Sequence, residues 1–220
     1  FFVRTNYLQD NPNLLRAIAE AGHAIGSHTD GHLPYAITTT VETEDDTSAI
    51  YTSPSEAEII ERKEDLNVSY QKLQNIVGDI QINGMPALTK IFRPPTLAMS
   101  REGMEAIFDM GFQFIVSGDF STHDYEETSA DSLADTLING ISLNDGNVRT
   151  LHNGSVLVLH MSDDSVIPTM KTDVTAKALD IAIPQLMEQG YRFARLNDYL
   201  SESSKGIYPL EQSMENEIMK

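Results

Sequence analysis

The chain contains no cysteine. That removes disulfides, thiolate metal sites and a cysteine nucleophile, and it fits a reducing or an oxidising compartment equally. No run of about 18 apolar residues occurs, so no segment has the makings of a membrane-spanning helix. A basic leader followed by an apolar stretch is also missing. Positive charge is scarce: 15 Lys and Arg stand against 33 Asp and Glu, for a formal net charge of −18. A surface of that sign repels nucleic acid and anionic membrane, so no nucleic-acid partner is expected and neutral or cationic partners fit better.

What is present is a 220-residue chain, 40% hydrophobic, large enough for one sizeable core and small for two. Phe1-Phe2-Val3 is a β-prone run with no Met before it, which reads as a cut into the end of a buried strand. Asn11-Pro12 opens a helix carrying Leu14, Leu15, Ile18 and Ala21 and stopped by Gly22. A short strand, Ala24 to Ser27, follows. Residues 36–53, rich in Thr, Asp and Glu, read as a solvated surface insertion. Ser53-Pro54-Ser55-Glu56 has a capping-box pattern, predicting a helix to about Ile76 with Leu66, Val68, Leu73 and Ile76 on its inner face. Further strands are expected at Lys90 to Phe92, Phe112 to Val116, Ser155 to Leu159 and Tyr191 to Ala194. Helices are expected after Ser100, at Asp131 to Asn139 and at Thr172 to Gly190. Alternation of this kind predicts an α/β fold with a mainly parallel sheet, whose polar signals fall just after strand ends, where active sites of parallel barrels are built.

Three segments could carry chemistry. His28 and His32 stand four positions apart after a strand, a spacing that lets two imidazoles reach one ion at about 2.0–2.1 Å, or leaves two solvated or backbone-bonded rings. Arg93-Pro94-Pro95 ends another strand, with the prolines fixing the direction in which the guanidinium leaves; it reads as an exposed turn or as an Arg orienting a carboxylate. His160 follows the apolar Leu157-Val158-Leu159. It is either a satisfied core histidine or a proton-transfer group whose ring is set by Asp119, Asp124, Asp163 or Asp164.

In this order the segments resemble the polysaccharide deacetylase family, the NodB-homology or carbohydrate esterase family 4 domain, over nearly the whole chain. Gly22-His23-Ala24-Ile25-Gly26-Ser27-His28-Thr29-Asp30-Gly31-His32 looks like its HxxxH metal loop. Phe92-Arg93-Pro94-Pro95 looks like its arginine-proline motif, Leu157-Val158-Leu159-His160 like its leucine-histidine motif, and Gly190-Tyr191-Arg192-Phe193 like its closing strand. The resemblance implies a distorted (β/α)-barrel of about seven to eight strands. It implies that His28 and His32 bind a divalent metal, usually zinc, with Co2+ or Mn2+ as substitutes. It further implies that His160 is the general acid paired with Asp124 and that Arg93 holds a catalytic carboxylate. Pro95, Tyr125, Leu157 and Leu159 are then expected to meet the substrate, the two leucines walling a pocket for the acetyl methyl.

The expected partner is an acetylated polysaccharide or oligosaccharide, and the expected setting is extracellular or at the cell surface. The family's first motif, two adjacent aspartates after a strand, is expected upstream of Phe1; Asp10, Asp30 and Asp45-Asp46 are not in an equivalent place. Residues 1–201 are read as the catalytic domain, incomplete at its start, and 202–220 as a polar tail. The alternative reading is a catalytically inactive glycan-binding relative.

Overall fold

The computed structural model describes residues 1–42, 47–126, 129–143, 146–161 and 172–200, and these fall into two compact units. The tail at 202–220, Asp45-Asp46 and the pair Asp163 and Asp164 lie outside the described residues.

The first unit comprises Phe1–Val116 and the segment from Ala194 onward. Its strands β1 (Phe2–Val3) and β2 (Ile25–Ser27) flank helix α1 (Pro12–Glu20). A hairpin of β3 (Ile37–Glu42) and β4 (Thr47–Thr52) leads into the long helix α2 (Glu56–Val77). Two short strands, β5 (Gln81–Ile82) and β6 (Met85–Pro86), precede β7 (Leu88–Phe92), α3 (Arg101–Asp109) and β8 (Phe114–Ile115). Strands β1, β2, β7 and β8 form one sheet in that order, every pair parallel. Parallel neighbours need a crossover, and the helices supply it while covering the sheet. Leu15 and Ala19 of α1 pack with Leu73 and Val77 of α2 against Ile25 and Leu88, and a second cluster joins Tyr35, Leu66, Phe92, Ile107 and Phe112. Each such large side chain contributes about 1.5–3 kcal/mol when fully buried.

Caps account for where these helices start and stop. Ser100 accepts the Gly103 amide at 3.0 Å, as expected. At α2 the capping box sits two residues later than its sequence reading: Ser55 and Glu58 bond reciprocally, while the Ser53 hydroxyl bonds Glu102. Helix α1 ends in a Schellman closure, Gly22 to Ala19 and His23 to Ile18, which needs the left-handed conformation that Gly22 adopts at φ 96°. Val68, expected on the inner face of α2, is exposed; Arg62 and Ser69 are buried there with Leu66 and Leu73. Within the stretch expected as a solvated insertion, residues 37–42 and 47–52 pair as antiparallel strands over six positions, from Ile37↔Thr52 to Glu42↔Thr47. Thr38, Thr39, Ile50 and Tyr51 are residue types that favour a pleated strand, although Ile50 and Tyr51 remain exposed.

The second unit is Ser117–Phe193. It contains β9 (Phe120–Ser121), α4 (Ala130–Asn139), the antiparallel pair β10 (Ile141–Ser142) and β11 (Val148–Arg149), β12 (Leu157–Val158) and α5 (Thr172–Glu188). Strands β12 and β9 are parallel. Val174, Ala178, Ala182 and Leu186, one residue per turn of α5, meet Leu133, Ala134 and Leu137 of α4 above Phe120. The two alanines let the helices approach closely. The apolar run Ser155 to Leu159 pairs only at Leu157 and Val158.

The closing strand expected from Tyr191 to Ala194 does not form. Gly190 turns left-handed at φ 98° and donates to Met187, and the Tyr191 amide is spent on the Leu186 carbonyl at the end of α5. The mainly parallel α/β architecture is present, with six parallel-paired strands among the described residues, four in the first unit and two in the second.

Candidate active site

In the first unit β2 delivers His28 immediately beyond its last residue, and a five-residue loop returns His32 beside it. The segment is a loop rather than the helical turn that a four-residue spacing can suggest. Thr29 and His32 are left-handed, at φ 67° and 62°, a conformation that costs a non-glycine residue roughly 1–2 kcal/mol. Three hydrogen bonds hold it. The Thr29 carbonyl accepts the Thr5 amide at 3.1 Å, the Thr29 amide donates to Ser27 Oγ at 3.2 Å, and the His32 amide donates to Thr29 Oγ1 at 2.9 Å.

The rings lie 4.9 Å apart between centroids, with Nε2 to Nε2 at 3.2 Å. His28 Nδ1 is 2.8 Å from the Arg93 carbonyl oxygen, which can only accept, so Nδ1 carries the hydrogen and Nε2 presents its lone pair in the neutral ring. Two ligands at about 2.0–2.1 Å from a tetrahedral ion stand about 3.3 Å apart, so the pair fits one divalent metal. Among the described residues no cluster of three or more His, Cys, Asp or Glu is placed to hold a metal.

Arg93, at the end of β7, thus serves His28 through its backbone. Its guanidinium lies over the Phe2 ring at 4.4 Å, and Nε donates to the Val116 carbonyl at 3.4 Å. Burial pushes its pKa down to about 10, which leaves it a cation at neutral pH. Among the described residues it pairs with no carboxylate. Pro94 and Pro95 are buried, so Pro95 fixes the strand exit rather than offering an exposed wall. Asp30 turns to Thr5 Oγ1 and Lys72 Nζ, each at 2.6 Å.

In the second unit His160 follows β12 and Asp124 lies in the loop after β9. Of the four candidate aspartates for this ring, Asp124 meets it and Asp119 does not. Asp124 Oδ1 is 2.8 Å from His160 Nδ1, and Oδ2 accepts the His160 amide at 2.7 Å and the Thr175 hydroxyl at 2.9 Å. The Asp124 side chain is fully buried while that of His160 is 39% exposed, so the ring alone can reach solvent. Burial acts to raise the Asp124 pKa, but the bonds from the His160 ring, its amide and Thr175 outweigh it and hold the carboxyl below the ordinary value.

Thr175 was not legible in advance, since it stands 51 residues from Asp124 on α5. Asp119 instead accepts the Val156 amide at 2.5 Å and meets His152 Nε2 at 2.9 Å. Tyr125 packs edge-on against His160 at 5.2 Å and stacks with His123 at 5.5 Å. Leu157 faces the cluster between α4 and α5, and Leu159 is half-buried.

The family model for polysaccharide deacetylase matches residues 1–115, more than half of the 220-residue chain. The chain belongs to the polysaccharide deacetylase family. The match coincides closely with the first unit, and so with the histidine loop and the Arg93 strand. A peptidoglycan-N-acetylglucosamine deacetylase of Bacillus cereus is 24% identical over 206 residues, which span 91% of this chain and 74% of that protein. The chitin deacetylase of the fungus Colletotrichum lindemuthianum is a structural neighbour at TM-score 0.59 and 20% identity, over 94% of this chain and 76% of that one. A carbohydrate esterase family 4 pseudoenzyme of Bacillus anthracis superposes at TM-score 0.61 and 18% identity, over 92% of this chain but 55% of its own. Likeness at these identities establishes the α/β fold of polysaccharide deacetylases for this chain.

Proposed function

We propose that this polysaccharide deacetylase relative is a metal-dependent hydrolase that removes acetyl groups from a peptidoglycan-like or chitin-like glycan, N-acetyl ahead of O-acetyl. The observation that carries the reading is the His28–His32 pair, with Nε2 atoms 3.2 Å apart and His28 Nδ1 held on the Arg93 carbonyl. Family membership and the deacetylases among its relatives support it. His28 and His32 would hold the ion, zinc or in its place Co2+ or Mn2+. Such an ion, when bound, supplies Lewis acidity toward water and the acetyl carbonyl.

His160 serves as the general acid. With Nδ1–H fixed on Asp124, proton exchange falls to Nε2, and the buried carboxylate stabilises the imidazolium. Arg93 is the cation that would orient a catalytic carboxylate. Tyr125, beside the His160 ring, supplies an aromatic face for a sugar. Of the two leucines expected to wall the acetyl methyl, Leu159 keeps that role while Leu157 supports it from the α4–α5 cluster, and Pro95 shapes the strand exit from behind. Residues 1–201 act as the catalytic region. The net charge of −18 suits a neutral glycan and its cationic amine product and disfavours nucleic acid. An extracellular or cell-surface setting follows from such a substrate.

Two observations favour a second reading, a catalytically inactive glycan-binding relative: the two histidines have no third ligand among the described residues, and a pseudoenzyme stands among the structural neighbours. Acetate release from chitooligosaccharide, peptidoglycan and acetyl-xylan, after metal removal and with zinc restored, separates the two. The deacetylase reading expects release only with metal, reduced at least about 100-fold in His28→Ala and His160→Ala. Glycan binding with no acetate at any metal concentration would support the binding protein and sink the enzyme.

A further inference from the structure

We propose that Asp65, on α2, is a positioning residue that sets the spacing of His28 and His32 and thereby the affinity of the pair for metal. The proposal rests on the reading of those histidines as ligands.

Between the two histidines the chain must reverse within three residues. The amides of the last two, Asp30 and Gly31, both donate to the Asp65 carboxylate, to Oδ2 at 3.0 Å and Oδ1 at 2.7 Å. A bidentate anion across successive amides fixes the direction of the peptide planes that lead into His32. Gly31 permits this approach, because a Cβ there would stand 2.9 Å from Asp65 Oδ1.

The same helix face carries the other braces of the loop, at the spacing of successive turns. Arg62 donates to the Pro34 carbonyl at 2.6 Å, Ser69 meets Ser27 Oγ at 2.9 Å, and Lys72 bonds Asp30 at 2.6 Å. Helix α2 is itself anchored by Leu66, Leu73 and Val77, all fully buried, so the stripe is a rigid frame. A loop with left-handed Thr29 and His32 persists only where its surroundings over-determine it. Asp65 is the member of the stripe that acts on the residues between the ligands through their backbone alone. No side chain at 30 or 31 can substitute for it.

The test is zinc affinity of the full chain, by competition with a chromophoric chelator, with the visible spectrum of the Co2+ form as a report on ligand geometry. Asp65→Asn keeps the shape but can offer only one acceptor to two amides. It is expected to weaken zinc about 10- to 100-fold, the range for loss of an outer-shell partner, and to alter the Co2+ bands. The Asp30 and Gly31 amides should exchange hydrogen faster in the metal-free protein. Asp65→Glu, which keeps the carboxylate, should recover part of the affinity. Should Asp65→Asn fail to fold, Gly31→Ala displaces the same carboxylate from the other side and is expected to show the same loss.

Parental zinc affinity in Asp65→Asn, with binding abolished in His28→Ala, overturns the role of Asp65 and leaves the metal pair standing. Zinc affinity unchanged in His28→Ala overturns the metal pair, and the proposal with it.

Discussion

Asp124→Asn tests the His160–Asp124 pair most directly, because an amide in place of the carboxylate forces the His160 ring to change its tautomer. The carboxylate accepts three hydrogen bonds: the His160 ring on Oδ1, and the His160 amide and the Thr175 hydroxyl on Oδ2. Asparagine has one oxygen and one NH2 group. The Thr175 hydroxyl can rotate to accept, but the backbone amide of His160 can only donate, so the asparagine oxygen must face it. The NH2 group then points at His160 Nδ1, which has to become an acceptor, moving the ring hydrogen to Nε2. A protonated ring would set two donors against each other with no countercharge. The cost is that of leaving one buried donor poorly served, about 1–3 kcal/mol.

Three readouts follow from that geometry. Nitrogen NMR of the His160 ring should show the hydrogen moved from Nδ1 to Nε2. Urea unfolding should lose about 1–3 kcal/mol at neutral pH. Acetate release, where His160 is the acid, should fall about 100- to 10,000-fold. The pH dependence has a fixed sign. Because the Asp124 carboxyl is held below its ordinary value in the folded state, its contribution is fully present above the unfolded value of about 3.9. That contribution is lost as pH falls through the lower folded one. Asp124→Asn should flatten that part of the acid limb. A variant with the Nδ1–H tautomer and parental stability would refute the reasoning.

Ser100→Ala removes an oxygen that accepts the Gly103 amide and donates to the Tyr35 carbonyl at 2.6 Å. The first unit should lose about 1–2 kcal/mol in urea unfolding, and a change under about 0.3 kcal/mol would deny the cap its role. Leu133→Ala opens a cavity where α4 meets Ala178 and Ala182. It is expected to cost about 2–5 kcal/mol, and a loss below about 1 kcal/mol would mean that the α4–α5 seam is not packed as described.

Features settled within a few residues were readable along the chain. Ser100 caps its helix, Gly22 ends another, and His28, Arg93 and His160 each follow a strand, because caps, turns and apolar periodicity depend on neighbours in sequence. The two-histidine spacing belongs to this class, and with the Arg93 and His160 segments it carried the resemblance to polysaccharide deacetylases. The pairing of 37–42 with 47–52 is not legible in the sequence, because a polar composition hides its β-favouring Thr, Ile and Tyr residues. The run after Gly190 has strand-like residues but forms no strand, since its first amide is already committed to the Leu186 carbonyl of α5.

Other choices were made by folding. The residue pattern alone leaves Asp119 and Asp124 both open as partners for His160, and only the resemblance points to Asp124; chain paths from β9, β12 and α5 bring Asp124 to the ring and Asp119 to His152. Thr175 and Asp65 act on residues 51 and 35 positions away, and no periodicity in one strand of sequence encodes which distant donor will meet which acceptor. The residue types that can do the chemistry are therefore fixed by the sequence, while their hydrogen-bond partners, and so the tautomer of His28 and the charge state of Asp124, are fixed by long-range packing that positions donors against acceptors.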